Sequence, residues 1–399
     1  MYIGIIGCGV AGMASAIALA RSGHDVEIYE RFSEPKPVGA GLLLQPSGLA
    51  VLDRLSLADD ARRWGAPVEH LHGRTVSGRT VMNLRYADVG AGVCGLGIHR
   101  GALFDVLHDA VRASGARLHF ESHVSGIEDV DRPRLIHFDG RQTGPFDLVL
   151  DCAGSHNSVC AKLGLRSREV PYDWCALWAI CPDRSNAFQR QLRQVYHRAS
   201  LMIGILPVGR TPHSEFEGNH VALFWSLKRS DADSQRLDGL ARLKDRICAA
   251  WPEAAPIVEE IDDYGQLSLA TYRDVGMHRF HRGRVLALGD AAHATSPQLG
   301  QGANLALIDA ITLAHAMRAY QNLDAALLLY ERMRRSHVRF YQIASRVLTP
   351  LFQSDHRFTP ALRDIFFDPL GRLPLSRHVM RTTLSGVRRF PWGTWKPPA

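Results

Sequence analysis

The first twenty residues, MYIGIIGCGVAGMASAIALA, contain no charged side chain. A secretory signal peptide needs a basic segment before its apolar core, and here the first Lys or Arg is Arg21. A membrane-spanning helix needs about twenty apolar residues, but it gives no reason for four glycines among the first twelve residues. No other run in the chain approaches that length. We therefore interpret this stretch as the beginning of a folded domain.

Paired cysteines and metal-binding spacings are also missing. The seven cysteines, an odd number, are scattered along the chain, with no CxxC pair and no Cys/His spacing of a zinc site. This pattern is typical of buried thiols in a reducing compartment, so we expect a cytoplasmic protein without a metal site.

The chain is long enough to bury a large core. It has 399 residues, of which 46% are hydrophobic and 22% charged, as in soluble globular proteins of two domains or one large composite. The net charge of +7 favours anionic partners without choosing among phosphates, carboxylates, nucleic acid and lipid headgroups. No internal repeat or low-complexity linker separates the domains, so we expect them to be interleaved.

The glycines of the first segment form a dinucleotide-binding pattern. A predicted strand from Tyr2 to Ile6 leads into a GxGxxG turn and an Ala-rich helix, and a second strand ends at Glu30, eighteen residues beyond the last glycine. The glycines permit a tight turn, close approach of a pyrophosphate and close packing of helix on strand, while the helix N-terminus attracts phosphates. The acid is placed to accept hydrogen bonds from a ribose. The cofactor-binding residues predicted from this pattern are Gly7, Gly9, Val10, Ala11, Gly12 and Glu30.

A second motif lies near the far end of the chain. Residues 283–314 read GRVLALGDAAHATSPQLGQGANLALIDAITLA, in which a buried strand precedes Gly289-Asp290 and an apolar helix begins near Ala303. This stretch resembles the flavin-binding motif of the FAD-dependent aromatic monooxygenases, the para-hydroxybenzoate hydroxylase family. Glu30-Arg31, Val38-Gly39-Ala40-Gly41 and the HRGAL segment that begins at His99 resemble other stretches of that family, so the resemblance covers most of the chain.

The resemblance implies tightly but non-covalently bound FAD and names further residues that would hold it. Asp290 would accept hydrogen bonds from ribityl hydroxyls, Arg100 would contact the cofactor's phosphates, and the glycine-rich turn before Ala303 would stabilise negative charge on a reduced flavin. We expect His293 to pack under the turn instead of acting in catalysis. The residues implied in this way are Arg31, Arg100, Val124, Asp290, Pro297, Gly300, Gly302, Ala303 and Asn304.

One signature of the family is altered here. In the stretch DLVLDCAGSHNSVC, Ala153 stands where the family has an acid that helps to hold FAD and takes part in nicotinamide-linked reduction, and Cys160 stands where a basic residue is common. Asp151, two residues upstream on the same face of an extended strand, is a candidate substitute. Alternatively, the reductant docks differently or comes from a partner.

The fold class predicted is α/β: a Rossmann-like FAD-binding domain with a parallel sheet, interleaved with a mainly antiparallel β-sheet substrate domain and followed by C-terminal helices. Alternating apolar residues between about 170 and 275, including Trp174, Trp178 and Trp225, predict strands that roof the flavin and line a pocket. The expected division is residues 1–70, 96–170 and 276–345 for the FAD domain, 71–95 and 171–275 for the substrate domain, and 346–399 for the C-terminal helices.

The function implied is that of an FAD-dependent monooxygenase. NADH or NADPH would reduce FAD, dioxygen would form a flavin hydroperoxide, and one oxygen atom would pass to a small aromatic or heteroaromatic substrate. No residue identifies itself as the substrate-activating base, so no catalytic residue is assigned. The alternatives are a flavin-dependent halogenase, another flavin oxidoreductase, and a non-oxygenating flavin-binding redox protein, which the alanine at position 153 keeps open.

Two basic segments suggest other contacts. Arg332, Arg334, Arg335 and Arg339 predict a solvated basic helix face. The basic, aromatic tail from Arg388 to Lys396 is expected to be exposed, with contact to a membrane surface or a second subunit as the alternative. We expect no transmembrane segment, no nucleic-acid partner, and a monomer or homodimer.

Overall fold

A computed structural model describes residues 1–34, 40–156, 159–356, 358–390 and 393–394. The predicted motif residues Val38 and Gly39, and the tail residues Trp392, Trp395 and Lys396, lie outside these ranges.

Eighteen strands are found in the described ranges. In chain order they are β1 (Tyr2–Ile6), β2 (Asp25–Tyr29), β3 (Gly41–Leu44), β4 (Ala66–Thr75), β5 (Thr80–Arg85), β6 (Gly95–His99), β7 (Arg117–His119), β8 (Val124–Glu128), β9 (Arg134–His137), β10 (Gln142–Thr143), β11 (Leu148–Asp151), β12 (Arg166–Pro182), β13 (Arg190–His197), β14 (Leu201–Gly209), β15 (His220–Lys228), β16 (Ser268–Met277), β17 (His281–Arg282) and β18 (Val285–Ala287).

Twelve α-helices are found in the same ranges. They are α1 (Val10–Ala20), α2 (Pro46–Arg54), α3 (Ala58–Trp64), α4 (Arg100–Ala113), α5 (Val159–Lys162), α6 (Ala232–Ala250), α7 (Ala255–Glu259), α8 (Asp290–His293), α9 (Gly302–Ala319), α10 (Leu323–Phe352), α11 (Thr359–Arg372) and α12 (Pro374–Leu384).

A six-stranded sheet forms the centre of the nucleotide-binding half. Its order is β17-β18-β11-β1-β2-β7, and all neighbours are parallel except the edge pair β17–β18. Strands β1 and β18 and the first three residues of β11 are apolar runs, as expected of parallel strands buried on both faces. Helices α1, α4 and α9 contribute to the same hydrophobic cluster as these strands. The Rossmann-like arrangement predicted from the two motifs is confirmed.

A nine-stranded, mainly antiparallel sheet forms the other half. Its order is β16-β12-β15-β14-β13-β4-β6-β3, with β5 added to β4, and the β13–β4 pair is its only parallel contact among the described residues. Three further strands, β8 to β10, form a small antiparallel sheet. The strands of the large sheet come from several separate parts of the chain, so the predicted interleaving is also confirmed.

The large sheet has two differently covered faces. The outer face, which carries Trp225, packs against α6 and α7. The inner face carries Trp178 and Phe224, whose ring centroids lie 4.9 Å apart, and contacts the C-terminal helices through Phe352 and Leu384. The prediction that these alternating residues line one pocket is therefore wrong for Trp225, because Trp178 and Trp225 lie on opposite faces.

The C-terminal helices pack back onto the rest of the molecule. Arg388 is buried, and its backbone N–H donates to the hydroxyl of Tyr341 on α10. The expectation of an exposed tail is therefore wrong at Arg388, where the chain returns to α10. Among the described helices, none is both long and apolar enough to cross a membrane.

Candidate functional site

The turn between β1 and α1 is built by tight glycine packing. Gly7 has a φ of +98°, and a Cβ there would lie 2.8 Å from the carbonyl oxygen of Cys152. A Cβ at Gly12 would lie 2.1 Å from the carbonyl oxygen of Gly7. Both positions thus exclude side chains and hold the helix close to the sheet.

Gly9 differs from these two glycines because open space surrounds it. It is the N-cap of α1, and a Cβ built on it would have no atom within 4 Å. Val10 and Ala11 begin the helix, so their backbone N–H groups belong to the helix end that carries partial positive charge. A bare backbone concavity at a helix N-terminus fits a pyrophosphate group.

Glu30 lies beside this turn, as the spacing predicts. Its Oε2 accepts a hydrogen bond of 2.8 Å from the backbone N–H of Cys8, and its Oε1 accepts one of 3.2 Å from Phe32. Val124 is buried in one cluster with Ile6 and Tyr29, at the ends of β1 and β2. These contacts bring Glu30 and the beginning of β8 to the same edge of the parallel sheet.

Two predicted cationic residues are exposed to solvent. The Arg31 guanidinium lies 4.5 Å from the centroid of the Phe32 ring. Arg100 is the first residue of α4, and its backbone N–H donates to the carbonyl oxygen of Ala40 at 3.2 Å. Among the described residues, no carboxylate pairs with either guanidinium, so both remain available to an anionic group.

The second motif meets the first. The turn at Gly289, with a φ of +60°, packs against α1 so closely that a Cβ there would lie 2.7 Å from the methyl group of Ala11. Asp290 begins α8 and is exposed, and a Cβ on Gly302 would lie 3.7 Å from its Oδ1. The glycine fingerprint, the Gly-Asp turn and the beginning of α9 therefore form one continuous site.

The loop before α9 is held by a buried amide. Asn304 Oδ1 accepts from the backbone N–H of Gln45 at 2.8 Å, and its Nδ2 donates to the carbonyl oxygens of Gly300 (2.9 Å) and Leu43 (3.2 Å). Its side chain thus fixes the loop that contains Pro297 and Gly300 and the first turn of α9 at Ala303. Because Asn304 is fully buried, it supports this loop from within the molecule.

A buried charged network lies under the same turn. His293 Nε2 lies 2.6 Å from Asp309 Oδ2, which also accepts a 2.9 Å hydrogen bond from the backbone N–H of Gly289. Asp309 Oδ1 accepts from Arg334 Nε at 2.7 Å and from the Tyr330 hydroxyl at 3.0 Å. His293 therefore packs under the turn, as expected.

Charge pairing decides the protonation state of this network. Burial raises the pKa of Asp309, but the Arg334 guanidinium and His293 outweigh it and hold that pKa well below its usual range. Burial and the same guanidinium lower the pKa of His337 well below its usual value. Asp309 is therefore ionised, and its carboxylate holds the backbone N–H of Gly289 in place.

Sequence reasoning missed Asp309 and misassigned Arg334. Arg334 is fully buried, so the prediction of a solvated face is wrong for this residue. Two signals were present in the sequence: an acid inside the apolar helix segment ALIDAITLA, and an arginine spaced with Leu327, Tyr330 and Val338 on one helical face.

Asp151 does not replace the acid that is missing at Ala153. Its side chain is fully buried, its Oδ2 accepts from the thiol of Cys160 at 2.7 Å, and its Oδ1 accepts from the backbone N–H of Ala153 at 3.2 Å. Burial also raises its pKa. A carboxyl group with no accessible surface cannot contact a molecule in the cleft.

The inner face of the large sheet supplies an aromatic wall. Trp178 Nε1 donates to the Tyr272 hydroxyl at 3.2 Å, and Trp178 packs on Phe224. Burial raises the pKa of Tyr272 to about 12. Strand β16 approaches the flavin-motif loop directly, since the backbone N–H of Val275 donates to the carbonyl oxygen of Ala294 at 2.9 Å.

The C-terminal segment closes the other side of this loop. Gln301 Nε2 donates to the carbonyl oxygens of Thr383 (3.3 Å) and Leu384 (3.4 Å), and the backbone N–H of Ser47 donates to the carbonyl oxygen of Ser385 (3.2 Å). Leu384 packs on the inner face of the large sheet. The wall, the loop and the C-terminal segment therefore surround one region.

Comparison with known proteins extends over nearly the whole chain. Residues 1–341 match the family described as FAD binding domain. The chain is 26% identical over 346 residues to a probable 2-heptyl-3-hydroxy-4(1H)-quinolone synthase of Rhodococcus erythropolis, with 86% of each protein covered. It is 26% identical over 360 residues to an FAD-dependent urate hydroxylase of Klebsiella pneumoniae, covering 86% of this chain and 88% of the relative.

Solved structures show the same fold. The crystal structure of Klebsiella pneumoniae HpxO complexed with FAD and uric acid matches with a TM-score of 0.80 and 23% identity, covering 96% of this chain and 97% of the other. A tetrameric 2-methyl-3-hydroxypyridine-5-carboxylic acid oxygenase matches with a TM-score of 0.77 and 23% identity, covering 93% and 97%.

Proposed function

The chain belongs to the family described as FAD binding domain, and from this premise we propose that it is an FAD-dependent monooxygenase acting on a small aromatic or heteroaromatic molecule. NADH or NADPH is the proposed reductant, and dioxygen the proposed oxidant. The observation that carries the proposal is the junction of the two motifs, where Gly289 packs on Ala11 beside the open concavity at Gly9. The named relatives, a quinolone synthase and a urate hydroxylase, support a heteroaromatic substrate.

The chain's own residues suit each part of FAD. The pyrophosphate would lie against Gly9 and the N-terminus of α1, with the ribose near Glu30 and the phosphates within reach of Arg100. The ribityl chain would lie along Asp290, and the flavin ring would lie by the loop from Pro297 to Gly302. When bound, FAD supplies the oxygen-transfer chemistry, which no amino-acid side chain provides.

The aromatic wall would hold the substrate ring against this loop. The Tyr272 hydroxyl accepts the indole N–H of Trp178, so its own proton remains to be donated to an oxygen or nitrogen of the substrate. Because the pKa of Tyr272 is raised to about 12, the group stays protonated at neutral pH and acts as a donor, not as a base. Leu384 and the C-terminal segment would exclude water from the reacting ring.

We also propose the division into an FAD domain, a substrate domain and C-terminal helices with the boundaries given above, in which β3 and β6 of the FAD ranges extend the sheet of the substrate domain. A cytoplasmic location is consistent with the seven cysteines, all of which are free thiols.

One observation favours a second candidate, a flavin-binding redox protein that does not oxygenate. Ala153 stands in place of the family's acid, and Asp151 is buried against Cys160. A protein with this change would bind FAD and exchange electrons with a partner instead of NADH or NADPH.

Cofactor release and coenzyme oxidation test the proposal. The purified protein should be yellow and release stoichiometric FAD on denaturation. It should then oxidise NADH or NADPH faster in the presence of at least one phenol, indole, quinolone or pyridine. FAD without any stimulated oxidation would favour the redox protein, and a colourless protein that takes up no FAD would contradict both candidates.

A further inference from the structure

A basic cavity lies on the outer face of the large sheet, away from the aromatic wall. It has a volume of about 360 Å³, is open to solvent, and is lined by side chains of β4, β5 and β13 and by Trp251 and Glu253. Val195, two residues from Arg193 on the same strand, packs in the cluster under α6, which places Arg193 on the outer face. The cavity is therefore separated from the proposed FAD site by the thickness of the sheet.

The alternation of side chains along β4 places basic residues of this cavity side by side. His70, His72 and Arg74 alternate along β4, so all three side chains point to the same face. In the sheet register, His72 lies opposite Arg193 of β13, and His70 lies opposite Arg85 of β5. Protonation of His72 would place two positive charges directly opposite each other, which destabilises a sheet.

The acidic groups nearby do not balance these cations. Arg74 forms an ion pair with Glu253 at 2.5 Å. Within the described parts of the chain, neither Arg85 nor Arg193 lies within ion-pair distance of a carboxylate. Arg193 instead donates from Nε to Gln191 Oε1 at 3.3 Å. The three arginines and one glutamate leave a net charge of +2 in the cavity with both histidines neutral.

The pKa of His72 reflects this excess of positive charge. Burial lowers the pKa of His72, and the neighbouring His70, Arg193 and Arg74 lower it further. A fold tolerates such a local conflict where it serves a binding site, because a bound anion relieves the repulsion.

We propose that this cavity binds a small multivalent oxyanion, such as a pyrophosphate group or a tricarboxylate, between Arg85 and Arg193. Guanidinium groups form charge-assisted, often bidentate hydrogen bonds with such oxygens. The volume, near the lower end for small-molecule sites, suits a ligand of that size. The site is independent of the proposed oxygenation, since its ligand does not reach the inner face.

Titration calorimetry on the FAD-loaded protein tests this site, because bound FAD already fills the pyrophosphate position at Gly9. The three probes are inorganic pyrophosphate, citrate and NADP⁺, which distinguish free phosphates, carboxylates and a phosphorylated dinucleotide as the source of the anion. At least one probe should bind with one-to-one stoichiometry and a Kd below about 1 mM. Absence of binding by all three would overturn the proposal.

Matched variants locate the binding. Arg193→Gln and Arg85→Gln should each weaken binding about tenfold or more. Arg190→Gln is the control, because Arg190 lies on the same strand but pairs with Glu69 outside the cavity. Equal affinity in the parent and both cavity variants would overturn the assignment.

Thermal unfolding without the anion separates binding from folding. Arg193→Gln should unfold at the same or a higher temperature than the parent, because the substitution lowers the uncompensated positive charge of the cavity. The successful probe should raise the Tm of the parent but not that of Arg193→Gln. A lower Tm of the ligand-free variant would assign Arg193 a structural role and contradict the proposal.

Discussion

At the scale of single residues, Gly9 lies at the N-terminus of α1 with open space where a side chain would be. Its φ of −86° and ψ of −175° suit any residue, and aspartate is a preferred N-cap. We therefore predict that Gly9→Asp folds as well as the parent but binds no FAD, because its carboxylate occupies and repels the pyrophosphate. Circular dichroism and FAD content after purification measure the two effects separately.

Gly9→Ala is the matched control for this variant. A single methyl group adds bulk without charge, so it should weaken FAD binding less than the aspartate does. Stoichiometric FAD in Gly9→Asp would refute the assignment of the fingerprint.

Asp309 supports the Gly289 turn of the second motif. Asp309→Asn leaves the Arg334 guanidinium buried without its counter-charge, so we predict a loss of about 3–5 kcal/mol in the free energy of unfolding. Chemical denaturation at pH 7 measures it. Asp59→Asn, which breaks an exposed ion pair with Arg62, is the control and should leave stability unchanged.

The same carboxylate predicts a pH dependence. Its folded pKa lies below the unfolded value of about 3.9, so the unfolded chain binds the proton first as the pH falls. The stabilisation by Asp309 is complete above about pH 5 and is lost progressively below pH 4. Denaturation curves between pH 3 and pH 7 should therefore show a steeper acid loss for the parent than for Asp309→Asn. Equal slopes would show that the buried pair is not ionised.

At the scale of elements, β12 and β16 supply the polar group of the aromatic wall. Tyr272→Phe removes one hydrogen-bond donor, so we predict a fall in kcat/KM of about fivefold, corresponding to about 1 kcal/mol. Trp178→Phe removes the N–H that orients Tyr272 and should have a similar effect. Steady-state kinetics with a substrate found in the screen measures both.

Trp225→Phe is the control at this scale, because Trp225 lies on the outer face under α6. It should leave kcat/KM for the aromatic substrate unchanged. If it lowered kcat/KM as much as Tyr272→Phe, the inner face would not be the substrate wall.

The strands and helices also show which structural features a local sequence pattern can predict and which it cannot. The period of two in β12 and β15 predicts alternation, but it does not tell which alternate set meets the flavin side. Helix α6, which follows β15 in the chain, covers Trp225. Only tertiary packing therefore determines which face of the sheet meets the flavin. For the same reason, the cluster of arginines on α10 predicts a solvated face, although Arg334 points inward to Asp309.

At the scale of the whole molecule, the nucleotide-binding half was largely predictable. The glycine fingerprint, Glu30 and the Gly-Asp turn each have a local backbone reason, and parallel strands bring their carboxyl ends to one edge. Asp151 was not predictable in the same way, since its burial against Cys160 depends on α5, which follows β11 in the chain. The basic cavity forms where β13 pairs with β4 and β5, which lie much earlier in the chain, so no local motif predicts it.

The proposed function requires that the reduced FAD react with dioxygen and pass one oxygen atom to the aromatic substrate. Rapid mixing of the reduced, FAD-loaded protein with dioxygen, in the presence of an aromatic compound that stimulates coenzyme oxidation, tests it most directly. For a monooxygenase we expect a transient absorbance distinct from both reduced and oxidised FAD, followed by a product that has gained one oxygen atom. A direct return to oxidised FAD, with no modified aromatic product, would contradict it.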